Sequence, residues 1–217
     1  MTGRLRIAIP LFPRFTALDA IGPYEVLQQI PTFDITFVGH ARGEVRSDSG
    51  MLGLVIDGTF EDLPDPDVIV FPGGVGTRPL QSDARVLDWV RGAHASSTTF
   101  TTSVCTGSLV LGAAGLLDGL TATTHWAGYA ELAAWGATPI PERVVEHLDR
   151  RIITAAGVSA GIDMALRLTE LLADRTAAQA AQLMIEYDPQ PPFDCGTRPK
   201  AGNEVMARVR EYDSPRK

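Results

Sequence analysis

A chain of 217 residues, 45% of them apolar and 21% charged, is long enough for one α/β domain with a full core and is neither disordered nor fibrous in composition. Its formal net charge of −7 argues against wrapping a polyanion, so nucleic acid is not an expected partner. Two cysteines, Cys105 and Cys195, are too few for a disulfide framework or a multi-cysteine zinc site.

In chain order, the opening Met-Thr-Gly-Arg-Leu-Arg-Ile lacks the long apolar stretch of a signal peptide. No run approaches about 18 apolar residues, so the expectation is a cytoplasmic protein without a membrane span. Residues 6–11 and 33–38 read as buried strands, with a helix from Gly22 to Ile30 between them that carries Pro23 in its first turn. The polar, glycine-containing stretch from Gly39 to Asp57 reads as loops or a small hairpin. Residues 67–71 form a third strand, stopped by Pro72-Gly73-Gly74, and a helical pattern runs from Ala84 to His94. A β-rich run from Thr98 to Val104 enters Cys105 directly, and a small-residue helix follows from Gly107 to Leu117. Arg151–Thr154 is a late strand leading into an apolar-periodic helix from Gly161 to Ala173. The stretch from Asp188 to Lys217 is proline-rich and then charged, a tail suited to wrapping the surface or a partner subunit.

Strands alternating with helices at this pitch predict a mostly parallel sheet sandwiched by helices in one domain spanning 1–217. In such sheets the chemistry lies beyond the carboxyl ends of the strands. Three segments end strands there: Pro72-Gly73-Gly74, Val104-Cys105-Thr106-Gly107 and Ala155–Gly161.

A cysteine is more often packed than reactive. Cys105, however, stands at a strand-to-helix turn that lifts its side chain above the sheet edge, where helix N–H groups favour thiolate over thiol. Backbone N–H groups of the Gly73-Gly74 turn and of Thr106 could form a polar pocket or oxyanion hole beside it, with Gly107 next in line. Asp19 reads either as a helix cap before Gly22-Pro23 or as a desolvated carboxyl kept protonated for proton donation. His125, beside Trp126, is a second proton carrier or a structural histidine beneath the site. His40, His94 and His147 read as solvated. Gly157-Val158-Ser159-Ala160-Gly161 matches the G-x-S-x-G pattern of serine hydrolases. That family needs a histidine after the nucleophile, and none follows His147, so the segment reads as a glycine-rich helix start that packs closely or offers N–H groups to the cysteine pocket.

Taken together, Leu18–Pro23, Phe71–Gly74, Ser103–Gly115, Ala122–Trp126 and Ala160–Asp163 resemble the ThiJ/PfpI superfamily, with its class I glutamine-amidotransferase-like (flavodoxin-like) α/β fold. The resemblance spans residues 5 to 197. Thr102–Leu117 and Glu186–Phe193 are most similar to its isocyanide hydratase branch. That branch implies hydration of an isocyanide to an N-substituted formamide. In that reaction Cys105 is the nucleophile, Asp19 the acid and then base, and Thr106 orients thiolate or water; no metal or organic cofactor takes part, and the protein is a homodimer. Two departures stand out. Thr106 occupies the position where peptidase-like and amidase-like members carry histidine, and Ala155-Ala156 stands where more glycine is expected. Another cysteine-dependent enzyme of glyoxalase-like or amidase-like type, a redox-sensing stress protein, and a ligand-binding regulatory domain remain open. Too few residues follow Arg175 for a helix-turn-helix reader.

Overall fold

The structure, a computed structural model, describes residues 3–96 and 98–213, Asp213 by its backbone alone. Met1 and Thr2 of the expected leaderless start, Ser97, and Ser214–Lys217 of the expected tail lie outside the described residues. The chain divides into two compact units between Glu186 and Tyr187.

The first unit opens with β1 (Leu5–Pro10), in which Ile7 to Pro10 are buried. Helix α1 (Ala17–Leu27) begins well before the expected Gly22, because Thr16, in extended conformation, is its N-cap. Gly22-Pro23 imitates a helix start in the sequence, yet Pro23 sits inside α1 and has no N–H for the Asp19 carbonyl one turn back. Strand β2 (Phe33–Gly39) follows, then β3 (Gly43–Arg46) and β4 (Gly53–Ile56), which pair antiparallel as a small hairpin. After the short β5 (Gly58–Thr59) comes β6 (Val68–Phe71), all four residues of which are buried. Helices α2 (Thr77–Leu80) and α3 (Ala84–Ser96) lead to β7 (Phe100–Val104). Helix α4 (Gly107–Ala113) stops short of the expected Leu117 where Gly115 takes a left-handed φ of 79° and donates its N–H to the Gly112 carbonyl.

Strand β8 (Thr121–Ala122), helix α5 (Tyr129–Ala134) and β9 (Thr138–Pro139) form a small flap, with β8 and β9 paired parallel. Strands β10 (Val144–His147) and β11 (Ile152–Ala155) pair antiparallel before α6 (Ala160–Leu172) and α7 (Arg175–Met184). In the second unit, Thr197 accepts from the N–H groups of Lys200 and Ala201 ahead of α8 (Asn203–Asp213).

The central sheet has seven strands in the order β10-β11-β7-β6-β1-β2-β5. Every neighbouring pair is parallel except β10 with β11. From β1 the chain steps one way to β2 and later returns to β6 on the other side, so the strand order reverses between β1 and β6. Right-handed crossovers in opposite directions put α1 and α3 on opposite faces. Helix α6 packs on α1, and α4 contacts α3. Gly161 lets α6 approach α1 closely, since a Cβ there would lie 3.1 Å from Pro23 Cγ and from Val104.

The three histidines expected in solvent all have partners. His40 Nε2 lies 2.6 Å from Asp83, and His147 Nε2 is 2.7 Å from the Thr121 carbonyl. His94 is half-buried with Nδ1 2.9 Å from Thr101 Oγ1, and burial lowers its basicity. That burial is not legible in residue order, because the Thr101 hydroxyl that meets the ring lies on β7.

Candidate active site

The carboxyl ends of β1, β6, β7 and β11 converge where the strand order reverses, the crevice in which open α/β sheets bind ligands. Cys105 stands immediately after β7 with φ 57°, a left-handed conformation that a non-glycine residue adopts only when its surroundings impose it. Its N–H reaches the carbonyls of Ala155 (3.1 Å) and Ala156 (2.9 Å), and its carbonyl accepts from Ser108 Oγ (3.1 Å) and Thr124 Oγ1 (2.9 Å). This is the sharp turn anticipated from the sequence. Neither hydroxyl that secures it was anticipated, although both belong to runs of small polar residues flanking strand ends.

Asp19 is fully buried in the first turn of α1 and caps nothing; the N-cap is Thr16. Its Oδ2 accepts the Gly73 N–H at 2.9 Å, and its buried Oδ1 has no hydrogen-bond partner among the described residues. Burial pushes its carboxyl up to about 7, against the hydrogen bonds from the Cys105 thiol and the Gly73 N–H; the nearby Asp48 charge adds a small push upward. Burial first, then the Asp19 carboxylate, pushes the Cys105 thiol up to about 12, opposed by the N–H groups of Thr106 and Val158. The expectation of a resting thiolate therefore needs correction. Desolvation and a neighbouring anion outweigh the turn's N–H groups, so the sulfur keeps its proton and the carboxyl is the first of the two groups to ionise.

The Gly73-Gly74 turn is present beside the thiol, but its donors are engaged. Gly73 N–H goes to Asp19, and Gly74 N–H goes to Thr106 Oγ1 at 2.9 Å. Thr106 Oγ1 also donates to the Gly74 carbonyl at 3.1 Å, so this hydroxyl holds Gly74 through both its N–H and its carbonyl. An oxyanion hole built from Gly73 or Gly74 is thus not formed, and Thr106 is placed to fix the turn rather than to orient water. Gly73 has no room for a side chain: a Cβ would lie 2.5 Å from the Thr106 nitrogen and 2.8 Å from Asp19 Oδ2. Gly107 is pressed against the carbonyls of Phe71 and Pro72, a close-packing position away from the thiol.

Val158 takes φ 42°, an unusual value for a β-branched residue, in the loop that delivers its N–H to Cys105. Ser159 is exposed and accepts from Arg143 at 3.3 Å, consistent with its rejection as a nucleophile. His125 accepts the Ala127 N–H on Nδ1 at 3.4 Å, and burial, then the Arg78 charge, lowers its basicity. Its ring is tilted against that of the partly exposed Trp126, with centroids 5.1 Å apart. Cys195 is free and lies in the second unit. Among the described residues no cluster of three or more His, Cys, Asp or Glu could hold a metal ion, and no helix is long and apolar enough to cross a membrane.

The chain is 45% identical to isonitrile hydratase of Pseudomonas putida over 211 residues, 97% of this chain and 91% of that protein. It is 32% identical to the HTH-type transcriptional regulator CdhR of Pseudomonas aeruginosa, over 93% of this chain and 59% of the regulator. Among solved structures, a ThiJ/PfpI family protein from Pseudomonas syringae superposes with a TM-score of 0.90 at 40% identity, covering 97% of this chain and 86% of that one. With a model of the DJ-1/PfpI family matching residues 5–171, and with the thiol elbow at the strand-order reversal, the chain belongs to the DJ-1/PfpI family.

Proposed function

We propose that the protein is an isocyanide hydratase, converting R–NC and water to the formamide R–NH–CHO. The observation that carries the reading is the pairing of the Cys105 thiol with a buried, proton-holding Asp19 carboxyl, with no histidine next to the nucleophile. An isocyanide carbon must receive both a proton and a nucleophile, and this pair supplies one of each.

In the singly protonated pair the proton rests on sulfur; it passes from the Cys105 thiol to the Asp19 carboxylate and on to the terminal carbon while the sulfur bonds to that carbon, giving the thioimidate R–N=CH–S–Cys. The Asp19 carboxylate then takes a proton from water as hydroxide adds to that carbon, and the proton passes to nitrogen. Collapse of R–NH–CH(OH)–S–Cys expels the sulfur, the hydroxyl proton returns to Asp19, and the formamide leaves with the pair restored. N–H groups of Thr106 and Val158 stabilise the sulfur whenever it carries charge. Thr106 and Gly73 keep Asp19 and the elbow in register. His125 and Trp126 form part of the surrounding wall.

The occupied Gly73 and Gly74 donors weigh against an amidase-like reaction, which needs free N–H groups for a tetrahedral oxyanion. The proposed setting is the cytoplasm, whose reducing conditions keep both free cysteines as thiols. The proposed assembly is a homodimer, supported by apolar side chains left in solvent: Leu183 (79% exposed) and Met184 (66%) on α7, and Met51 (85%) between β3 and β4. The partner is the small isocyanide alone, with neither nucleic acid nor membrane. Incubation of the purified protein with an aryl isocyanide, followed by mass analysis, tests the function. Formamide should form with the wild type and fall to background with Cys105→Ala; no formamide, or undiminished formation by the variant, refutes it.

A further inference from the structure

A cavity of about 250 Å3 opens beside the β3–β4 hairpin, walled chiefly by Phe12, Val45, Ile56, Phe60, Phe71 and Val86. None of Asp19, Cys105, Thr106 or Val158 lines it. All six wall residues are buried. Its polar lining residues, His40, Arg42 and Glu44, are exposed and already paired, with Asp83 (2.6 Å), Asp62 (3.0 Å) and Arg46 (2.5 Å) respectively.

We propose that this cavity is a second, non-catalytic binding site for one uncharged, ring-sized apolar molecule. Size is the first reason: an apolar cavity of roughly 150 Å3 already accepts a benzene ring, so this one accommodates a ring with a short substituent. Charge is the second. Every charged group at the rim has its counter-ion, so an ionic ligand would lose hydration without gaining a partner. Shape is the third. Phe12 and Phe71 stack at 6.0 Å, and Phe60 lies edge-on to His40 at 5.5 Å, offering both face and edge contacts to an inserted ring.

The same walls adjoin the catalytic segments in the chain. Phe71 precedes Gly73, the donor to Asp19, by two residues, and its carbonyl abuts Gly107. Phe12 begins the loop that ends at Thr16, whose N–H binds the Gly73 carbonyl at 2.9 Å. A molecule seated in the cavity therefore touches side chains whose backbones continue into the thiol pocket.

The test is a crystal of the full chain soaked with iodobenzene, combined with a benzene titration followed by NMR. Iodine density between Phe12, Ile56 and Phe71, and benzene affinity reduced at least tenfold in Val45→Phe and in Leu80→Phe, are expected. Cys105 alkylation rates should be unchanged in both variants, showing that the catalytic region is intact. Density only beside Cys105 or nowhere, or an unaltered benzene affinity in a folded filled variant, overturns the proposal. Should both variants fail to fold, the iodine position in the wild type alone decides.

Discussion

Among the residues, the Asp19–Cys105 pair makes the stability of the fold depend on pH and, in the proposed mechanism, carries its reactivity. A carboxyl raised from 3.8 to about 7 keeps its proton in the folded state where the unfolded chain has lost it. Its contribution is therefore complete below pH 3.8 and is lost as pH rises through about 7. Asp19→Asn removes the buried charge, and denaturant unfolding at pH 8 should find the variant more stable by about 2–4 kcal/mol, with the difference shrinking toward pH 4. Because Asp19 raises the thiol through both its charge and its hydrogen bond, the same variant should alkylate faster with iodoacetamide at pH 8 while losing turnover. Wild-type kcat/KM should rise with pH through a midpoint near 7, as the pair loses the first of its two protons, and hold a plateau into the alkaline range. A rate that falls through that midpoint would mean the doubly protonated pair is the reactive form. Thr106→Val leaves the buried Gly74 N–H without its acceptor and should lower stability by about 1–3 kcal/mol, whereas Thr106→Ser should restore it.

At the level of elements, the site depends on loops that bring together the ends of four strands, β1, β6, β7 and β11. Gly73→Ala forces a methyl against the Thr106 nitrogen and Asp19 Oδ2, and should cost about 1–3 kcal/mol in thermal or denaturant unfolding while cutting turnover more steeply than Gly92→Ala, where a Cβ meets nothing within 4 Å. The strands β1, β2, β6, β7 and β11 were legible because continuous apolar or β-branched runs in a parallel sheet admit little else. The elbow at Cys105 was legible for the same reason: small residues follow a strand with no room for a loop. The start of α1 was not, since Gly22-Pro23 mimics a helix opening that the fold places mid-helix against α6. The antiparallel β10 and the helix α7 also escaped. The first is a short edge strand and the second an alanine-rich segment whose burial is confined to Ala178 and Ala181. The engagement of the Gly73, Gly74 and Thr106 donors with one another could not be read from residue order, because it depends on which of several nearby acceptors each N–H faces.

At the scale of the molecule, the reversal of strand order between β1 and β6 puts a carboxyl from one side of the sheet opposite a thiol from the other, with no metal ligand cluster among the described residues nearby. Exposed apolar side chains on α7 and beside the β3–β4 hairpin predict that light scattering of the purified chain returns twice the 23.3 kDa protomer mass; a single-protomer mass would contradict the proposed assembly. In the proposed mechanism the Cys105 sulfur bonds to the isocyanide carbon during turnover. Rapid acid quench of wild-type protein reacting with an aryl isocyanide, followed by peptide mass mapping, addresses it most directly. The adduct should have the mass of the bound isocyanide, map to the peptide containing Cys105 and vanish in Cys105→Ala. Formamide production with no adduct on Cys105, or with turnover surviving the alanine substitution, would contradict the account.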